Sequence, residues 1–537
     1  MKDENMLSDL VYQQAYSAAK ENAEALSKLI QEDKEEVKKL LNKQDDSGNT
    51  ILHIAAQYNA KSLECLMYVF KDDAYKSLIE VKNNNGRIAL HLAAERNSDS
   101  LQLLINLYGN QVLEVKNSHG SIILHIATAY GNIEAVKLLI REFQEKMVEV
   151  KNNYGNTALH SAVNNVAALK LLFEKLWEFK EKLLEVRNNY GDTVLHYAIH
   201  NQESLEFLMT VFGEKALDLK NNYGRTVLHL VAEYKAQSLK ALIDTFPEKV
   251  KRLLKEVDND GNTVLHLAAK NAESLKFLID EFQDEVVRLL TVQNNRNSTV
   301  LQAAAAHNTK SLELFIQKFG NLVIQVQNSS GSTVLHYAAA NNKDSLALLI
   351  EMFPDEVENL LSARDIYGNT ALQLAVTYNA ESLPSLTGRF LAQMLNMKNA
   401  RGDTVLHFAA ANKNSLEYLM SMFQESWLAV RNINGSTVLH IAAFQRPDSL
   451  EYLIKTFSGK VKDLLEIKGR DGQTALHLAA QYKSKSLEYL VNVFGDKVFD
   501  LKDNNGRTAL HVANADSLQF LVQKFGDRII EVKNKHW

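Results

Sequence analysis

Twelve of the chain's 16 histidines fall in one recurring frame, Thr-x-x-His or a near variant: His53, His91, His125, His160, His196, His229, His266, His336, His407, His440, His477 and His511. A row of imidazoles is the feature here best able to do chemistry, because the ring titrates near neutral pH and binds metal ions. The same slot, however, holds Gln302 in TVLQ and Gln373 in TALQ. Glutamine keeps the hydrogen bonds of a histidine, yet it is no general base and a poor metal ligand. The frame also matches a capping box, with Thr at the helix N-cap and a hydrogen-bonding side chain three residues later. Thr226 with His229 and Thr263 with His266 are representative. The expectation is structural: each ring ties down a helix start and bridges to the neighbouring turn. Rings on successive helices would stand about 10 Å apart, one helix diameter, too far to share a metal.

Other reactive groups are few. The single cysteine, Cys65, lies in SLECLMYVF and reads as a buried structural thiol. It can form no intramolecular disulfide, which fits a reducing, cytoplasmic location. The chain has no Gly-rich phosphate loop, no HExxH and no GxSxG. A net charge of −5 argues against a general nucleic-acid binder. No apolar run approaches the roughly 20 residues that span a bilayer, and the charged N-terminus lacks the core of a signal peptide. These features predict a protein that is no enzyme, holds no cofactor or metal, and does not insert into a membrane.

The elements that position the histidines repeat with them. NNYGRTVLHL (221–230) returns as NNYGDTVLHY, NDGNTVLHL and NINGSTVLHI. Its glycine recurs at 48, 86, 120, 155, 191, 224, 261, 331, 368, 402, 435, 472 and 506, with Asn297 in one slot. That makes 14 repeats with a mean period of about 35 residues, a solenoid spacing. Thirteen of 22 glycines at one position imply a turn with positive φ, a conformation Asn tolerates best among other residues. After each turn the pattern predicts a first helix capped by Thr226 or its equivalent, then a second helix capped by Ser238 or its equivalent. Leu239, Leu242, Ile243 and Phe246 lie on one helical face. Gly109, Gly213, Gly320, Gly495 and Gly526 follow an aromatic ring and read as stops of the second helix. A short amphipathic stretch such as EKVKRLLKEV (248–257) leads to the next turn. Paired alanines, Ala55-Ala56, Ala93-Ala94, Ala268-Ala269 and Ala479-Ala480, suit close helix contacts.

This pattern resembles the ankyrin repeat family: turn, Gly, TPLHxAA, second helix. The Pro of TPLH is Val, Ala or Ile throughout, and the glycine between the helices is mostly replaced. The resemblance implies an all-α solenoid of stacked helix-turn-helix repeats with short hairpin-like turns, curved into a superhelix. Residues 45–537 form the array, and 1–44 read as a capping helix pair, since AAKENAEALSKLI (18–30) parallels AAKNAESLKFLI (268–279). The C-terminus stops at EVKNKHW, where another turn would begin, so the last repeat caps itself or the array belongs to a longer protein.

The resemblance also implies a non-enzymatic scaffold that binds a partner protein on its concave, turn-tip surface, as a monomer. The alternative is the regulatory or targeting array of a larger enzyme or channel subunit. Asn- and Lys-rich repeats with scarce proline further resemble ankyrin proteins of host-associated bacteria, effectors often delivered into eukaryotic cells to capture host proteins. Candidate contact residues are the tip tyrosines Tyr154, Tyr190, Tyr223 and Tyr367, with Arg225 beside them. A second row closes the first helices: Tyr58, Tyr130, Tyr234, Tyr378 and Tyr482. A basic ladder four residues before the anchor includes Lys151, Arg187 and Lys220.

One stretch breaks several rules at once. Between 294 and 400 lie Asn297, Gln302, Gln373, Pro384 and Gly388. A helical glycine costs about 1 kcal/mol relative to alanine. We predict a flexible seam or a change of curvature near 380–390. Limited proteolysis should cut there first, and digestion no faster than in the neighbouring repeats would contradict this.

Overall fold

A computed structural model describes residues 2–70, 79–143, 149–396, 398–495, 500–526 and 529. They form two compact parts, Met1–Val264 and Leu265–Trp537. Each is a stack of helical repeats with no named strand among the described residues.

Every repeat opens with a chain reversal that needs one left-handed residue. The anchor glycines all have positive φ, from 66° at Gly86 to 78° at Gly48, and Asn297 takes 57° in the remaining slot. Contact adds to conformation: a Cβ on Gly155 would lie 2.3 Å from Oδ1 of Asn189 in the next turn. The reversal is organised by an Asn or Asp three residues before the anchor. Asn188 Oδ1 accepts the backbone N–H of Tyr190 and of Asp192, both at 2.9 Å. One turn departs from this scheme, with Gly469 in place of the Asn and Asp471 at φ 59°.

Neighbouring turns are zipped by main-chain bonds. Asn189 N donates to the Tyr154 carbonyl at 3.0 Å, and Asn222 N to that of Tyr190 at 3.0 Å. In the C-terminal part Ile433 N donates to the Arg401 carbonyl at 3.0 Å.

First helices begin at the motif threonine. Val227–Tyr234 buries Val227, Leu228, His229, Val231 and Ala232. The alanine pairs at 55–56, 93–94, 268–269 and 479–480 are fully buried, which lets backbones approach. The expected Ser238 cap is wrong. The second helix runs Ala236–Thr245 from Lys235, so Ser238 is its third residue and is buried. Elsewhere an asparagine fills the cap, as Asn201 does by accepting from Ser204 N at 3.0 Å. This residue works twice: its amide reaches back to the preceding first helix, as in Asn308 Nδ2 to the Lys270 carbonyl at 2.8 Å. Asn is the better cap because its side chain spans both bonds.

The five stop glycines are C-caps with φ between 51° and 64°. Pro247 instead opens Pro247–Leu253, where its missing N–H is not needed. Buried Leu and Ile on both helices hold the stack, each side chain contributing about 1.5–3 kcal/mol.

Residues 2–40 form three helices, Lys2–Glu21, Ala23–Glu32 and Lys34–Leu40, rather than the expected pair. The first two pack on the helices of the next repeat, Ile51–Tyr58 and Ala60–Val69. Tyr16 stands in the histidine slot and donates its hydroxyl to Asp45 of the adjoining turn at 2.9 Å. Cys65 is half-buried rather than buried, because it lies off the Leu63–Leu66 face of its helix.

Around the expected seam, the turn Ala380–Ser382 leads into Leu383–Asn396, with a break at Phe390 (φ −120°, ψ 15°). Phe282 makes a similar break inside Ala272–Leu289 (φ −127°, ψ 41°), so this is the ordinary junction after a second helix. The closing EVKNKHW segment lies outside the described residues.

Gly155→Ala should therefore destabilise by more than about 1 kcal/mol, since it adds strain at positive φ and a clash with the next turn. Asn297→Gly, which relieves the same strain, should be neutral or stabilising. Urea midpoints of the two variants check this, and equal shifts would contradict it.

Candidate functional site

In most repeats the motif histidine is held at both ring nitrogens. In the Thr226 repeat, His229 Nδ1 accepts the Thr226 backbone N–H at 3.3 Å and lies 2.8 Å from its hydroxyl. The other nitrogen leaves the repeat: His196 Nε2 reaches the Arg225 carbonyl at 3.0 Å, and His53 Nε2 that of Arg87 at 3.0 Å. His266 does the same to Ser298 at 2.9 Å. Because Nδ1 accepts and a carbonyl accepts, the ring is neutral with its proton on Nε2. In these rings both nitrogens are engaged in hydrogen bonds and neither offers a free lone pair to a metal, whereas His125 Nδ1 and the Nε2 atoms of His91 and His440 are buried without a hydrogen-bond partner. Gln302 copies the arrangement, with Oε1 taking Thr299 N at 2.9 Å and Nε2 donating to the Ser332 carbonyl at 2.5 Å. Where Ile88 replaces Thr, its N–H still reaches His91 Nδ1 at 3.2 Å. His511, with no further described repeat stacked on it, is exposed.

Burial disfavours the charged ring. It pushes His91, His160, His229 and His440 down to about 4, and lowers His53, His125, His196, His336, His407 and His477.

The candidate tyrosines all lie in solvent, from 44% exposed at Tyr58 to 69% at Tyr378. In the N-terminal part the zipped turns bring Tyr154, Tyr190 and Tyr223 to one edge, and His119 from the preceding tip stacks on Tyr154 at 6.3 Å. The Arg87 guanidinium lies 5.5 Å over the Tyr130 ring, and Lys20 lies 5.2 Å over Tyr58. Arg225 is held by Glu233 at 3.1 Å and Asp258 at 3.2 Å, near Tyr234.

The basic ladder largely serves the backbone. Lys151 Nζ donates to the Arg187 carbonyl at 2.7 Å, and Arg187 to those of Gly191 and Lys220. Lys220 binds the Glu256 carboxylate at 2.9 Å and the Val257 carbonyl at 3.1 Å. These side chains cross-link turns.

In the C-terminal part, Tyr367 and Tyr378 share a concavity of about 450 Å³ with Arg401, Phe408 and Phe444. Tyr482 meets Phe444 edge-on at 4.8 Å. Sequence reasoning missed Phe408, Phe444 and Arg401. The signal was available as a departure from the repeat pattern, since Phe444 stands where other repeats carry Gln57, Glu95, Glu233 or Gln481.

A family model described as ankyrin repeats (3 copies) matches residues 14–114, 107–182, 195–287, 301–391, 383–463 and 456–533. The chain belongs to the ankyrin repeat family. Similar solved structures include the ankyrin repeat domain of Bcl-3, a member of the IkappaB family. It is 24% identical with a TM-score of 0.33, and the match covers 41% of this chain and 94% of that one. Another is the Bd0816 predatory endopeptidase from Bdellovibrio bacteriovorus in complex with the immunity protein Bd3460. That match is 22% identical with a TM-score of 0.30, covering 36% and 97%. No curated protein matches this ankyrin chain. The family's fold is a protein–protein interaction module and typically carries no catalysis. No described helix is long and apolar enough to cross a membrane.

The histidine geometry fixes a pH dependence. At pH 7 the rings are mostly neutral whether folded or not. Below about 6.5 the unfolded chain gains protons that buried rings such as His160 refuse until about 4, so stability falls as pH drops through that window. His160→Gln and His229→Gln keep the hydrogen bonds without the titration. Each should lose less stability than the parent between pH 7 and 5 in urea unfolding; identical losses would contradict the assignment.

Proposed function

We propose that this chain is a non-enzymatic scaffold that captures a partner protein through its turn tips and the ends of its first helices. The observation that carries this reading is the set of nine tyrosines at recurring repeat positions, each between 44% and 69% exposed. A ring with two side-chain torsions contributes large contact area at small entropic cost, and tyrosine is enriched among binding hot spots. Mechanism here is complementarity across several repeats, with little refolding of the scaffold. The zipped turns support this, because they hold the tips at a fixed spacing before any partner arrives.

The finer reading, an effector that enters a host cytoplasm to capture a host protein, rests on the Asn- and Lys-rich, proline-poor repeats. A transfer assay into cultured eukaryotic cells tests it, and retention by the producing cell would oppose it. The interaction itself is tested by replacing Tyr154, Tyr190 and Tyr223 together with alanine. Proteins captured by the parent chain should bind this variant at least about tenfold more weakly, a loss of roughly 1.4 kcal/mol or more. Undiminished capture would move the interface off this edge.

A further inference from the structure

We propose that the concavity within residues 367–445, resting on the protein-binding reading above, holds an acidic, apolar peptide segment of the partner. Three consecutive turns rim it, and all three break the repeat pattern. Two residues before the anchor every other turn carries a polar residue, most often an Asn whose amide ties to the turn before, as Asn189 Nδ2 does to the Asn153 carbonyl at 2.9 Å. Here the position is Ile366, Ala400 and Ile433. Ile366 is 64% exposed and Ile433 72%. Such turns give up a hydrogen bond and leave aliphatic surface in water, a pattern that marks interaction sites rather than stability.

Its apolar lining is largely aromatic, with Tyr367, Tyr378, Phe408 and Phe444. A volume of about 450 Å³ falls among pockets that seat a few side chains, roughly 300–1,000 Å³. It suits the anchors of a peptide rather than a folded domain.

Charge specifies the rest of the ligand. Arg401 is exposed and has no carboxylate partner among the described residues. Asp403, in the same turn, is occupied by the amides of Asn399 at 3.1 Å and Asn432 at 2.6 Å. The flanking Arg364 and Arg431 direct their guanidinium groups to turn carbonyls and keep their charge. The contrast lies in the N-terminal part, where Arg87 is neutralised by Glu95 at 2.8 Å and Arg225 by Glu233 and Asp258. An aromatic lining beside turns in which Arg364, Lys398, Arg401 and Arg431 outnumber Asp365 and Asp403 fits a segment with Asp or Glu a few residues from aromatic or aliphatic side chains.

The test pans a phage-displayed library of random peptides, about a dozen residues long, on the immobilised full chain, then measures binding of the enriched sequences as synthetic peptides. Enriched peptides should pair an acid with apolar anchors. They should bind Arg401→Glu at least tenfold more weakly, and Tyr378→Ala and Phe444→Ala likewise, yet bind the Tyr154, Tyr190 and Tyr223 alanine variant as well as the parent. Arg401 sits on an exposed tip, so its variant keeps the fold readout clean, and thermal melts check the other two. Peptides whose affinity is unmoved by Arg401→Glu and Phe444→Ala would overturn this location while leaving the protein-binding reading intact. Enrichment of basic peptides would overturn the ligand chemistry. A dimer in sedimentation that dissociates on Arg401→Glu would assign the groove to a second copy instead. No enriched peptide at all would overturn the groove proposal, and the protein-binding reading would then stand or fall on the capture assay above.

Discussion

The structure depends on one imidazole placed between three groups. In each typical repeat it accepts a hydrogen bond from the backbone of its own helix start, contacts the capping hydroxyl, and donates to a carbonyl of the following turn. Two of these bonds make the helix begin where it does. The third makes the helix start of one repeat depend on the turn of the next. A repeat of two short helices cannot hide its apolar faces alone, so this coupling is what turns marginal pieces into a stack. Tyr16 and Gln302 fill the same slot with different chemistry and keep its function, which shows that reach and hydrogen bonding matter there, and basicity does not.

Much of the polar surface is spent on the same task. The asparagines before the anchor organise their own turn and tie it to its neighbour, and the lysines and arginines of the ladder donate to turn carbonyls. What remains free for a partner is the set of residues that vary between repeats: tip rings, helix-end rings and a few unpaired charges. The two compact parts differ here. In the first, Arg87 and Arg225 are paired with acids, whereas in the second Arg401 lines an aromatic concavity.

The fold was legible because its demands fall on single residues. Positive φ at thirteen glycines and at Asn297 could be read directly, since only these residue types take that conformation cheaply. Boundaries set by competition were harder. Ser238 looked like a cap until the asparagines of sister repeats proved better placed to bridge two helices. Cys65 lies on the rim of a helix face, where periodicity does not separate half-buried from buried. The ladder's carbonyl bonds were invisible because they join residues a full repeat apart. The aromatic groove near Arg401 escaped notice because attention went to what recurs, while binding surfaces are built from what departs.

The most direct measurement is the tautomer and titration of the motif histidines by long-range proton–nitrogen correlation in solution. Neutral rings protonated at Nε2, resisting charge well below the pH at which free imidazole titrates, are the predicted result. Rings protonated at Nδ1, or titrating like free histidine, would contradict the idea that they join each repeat to the next.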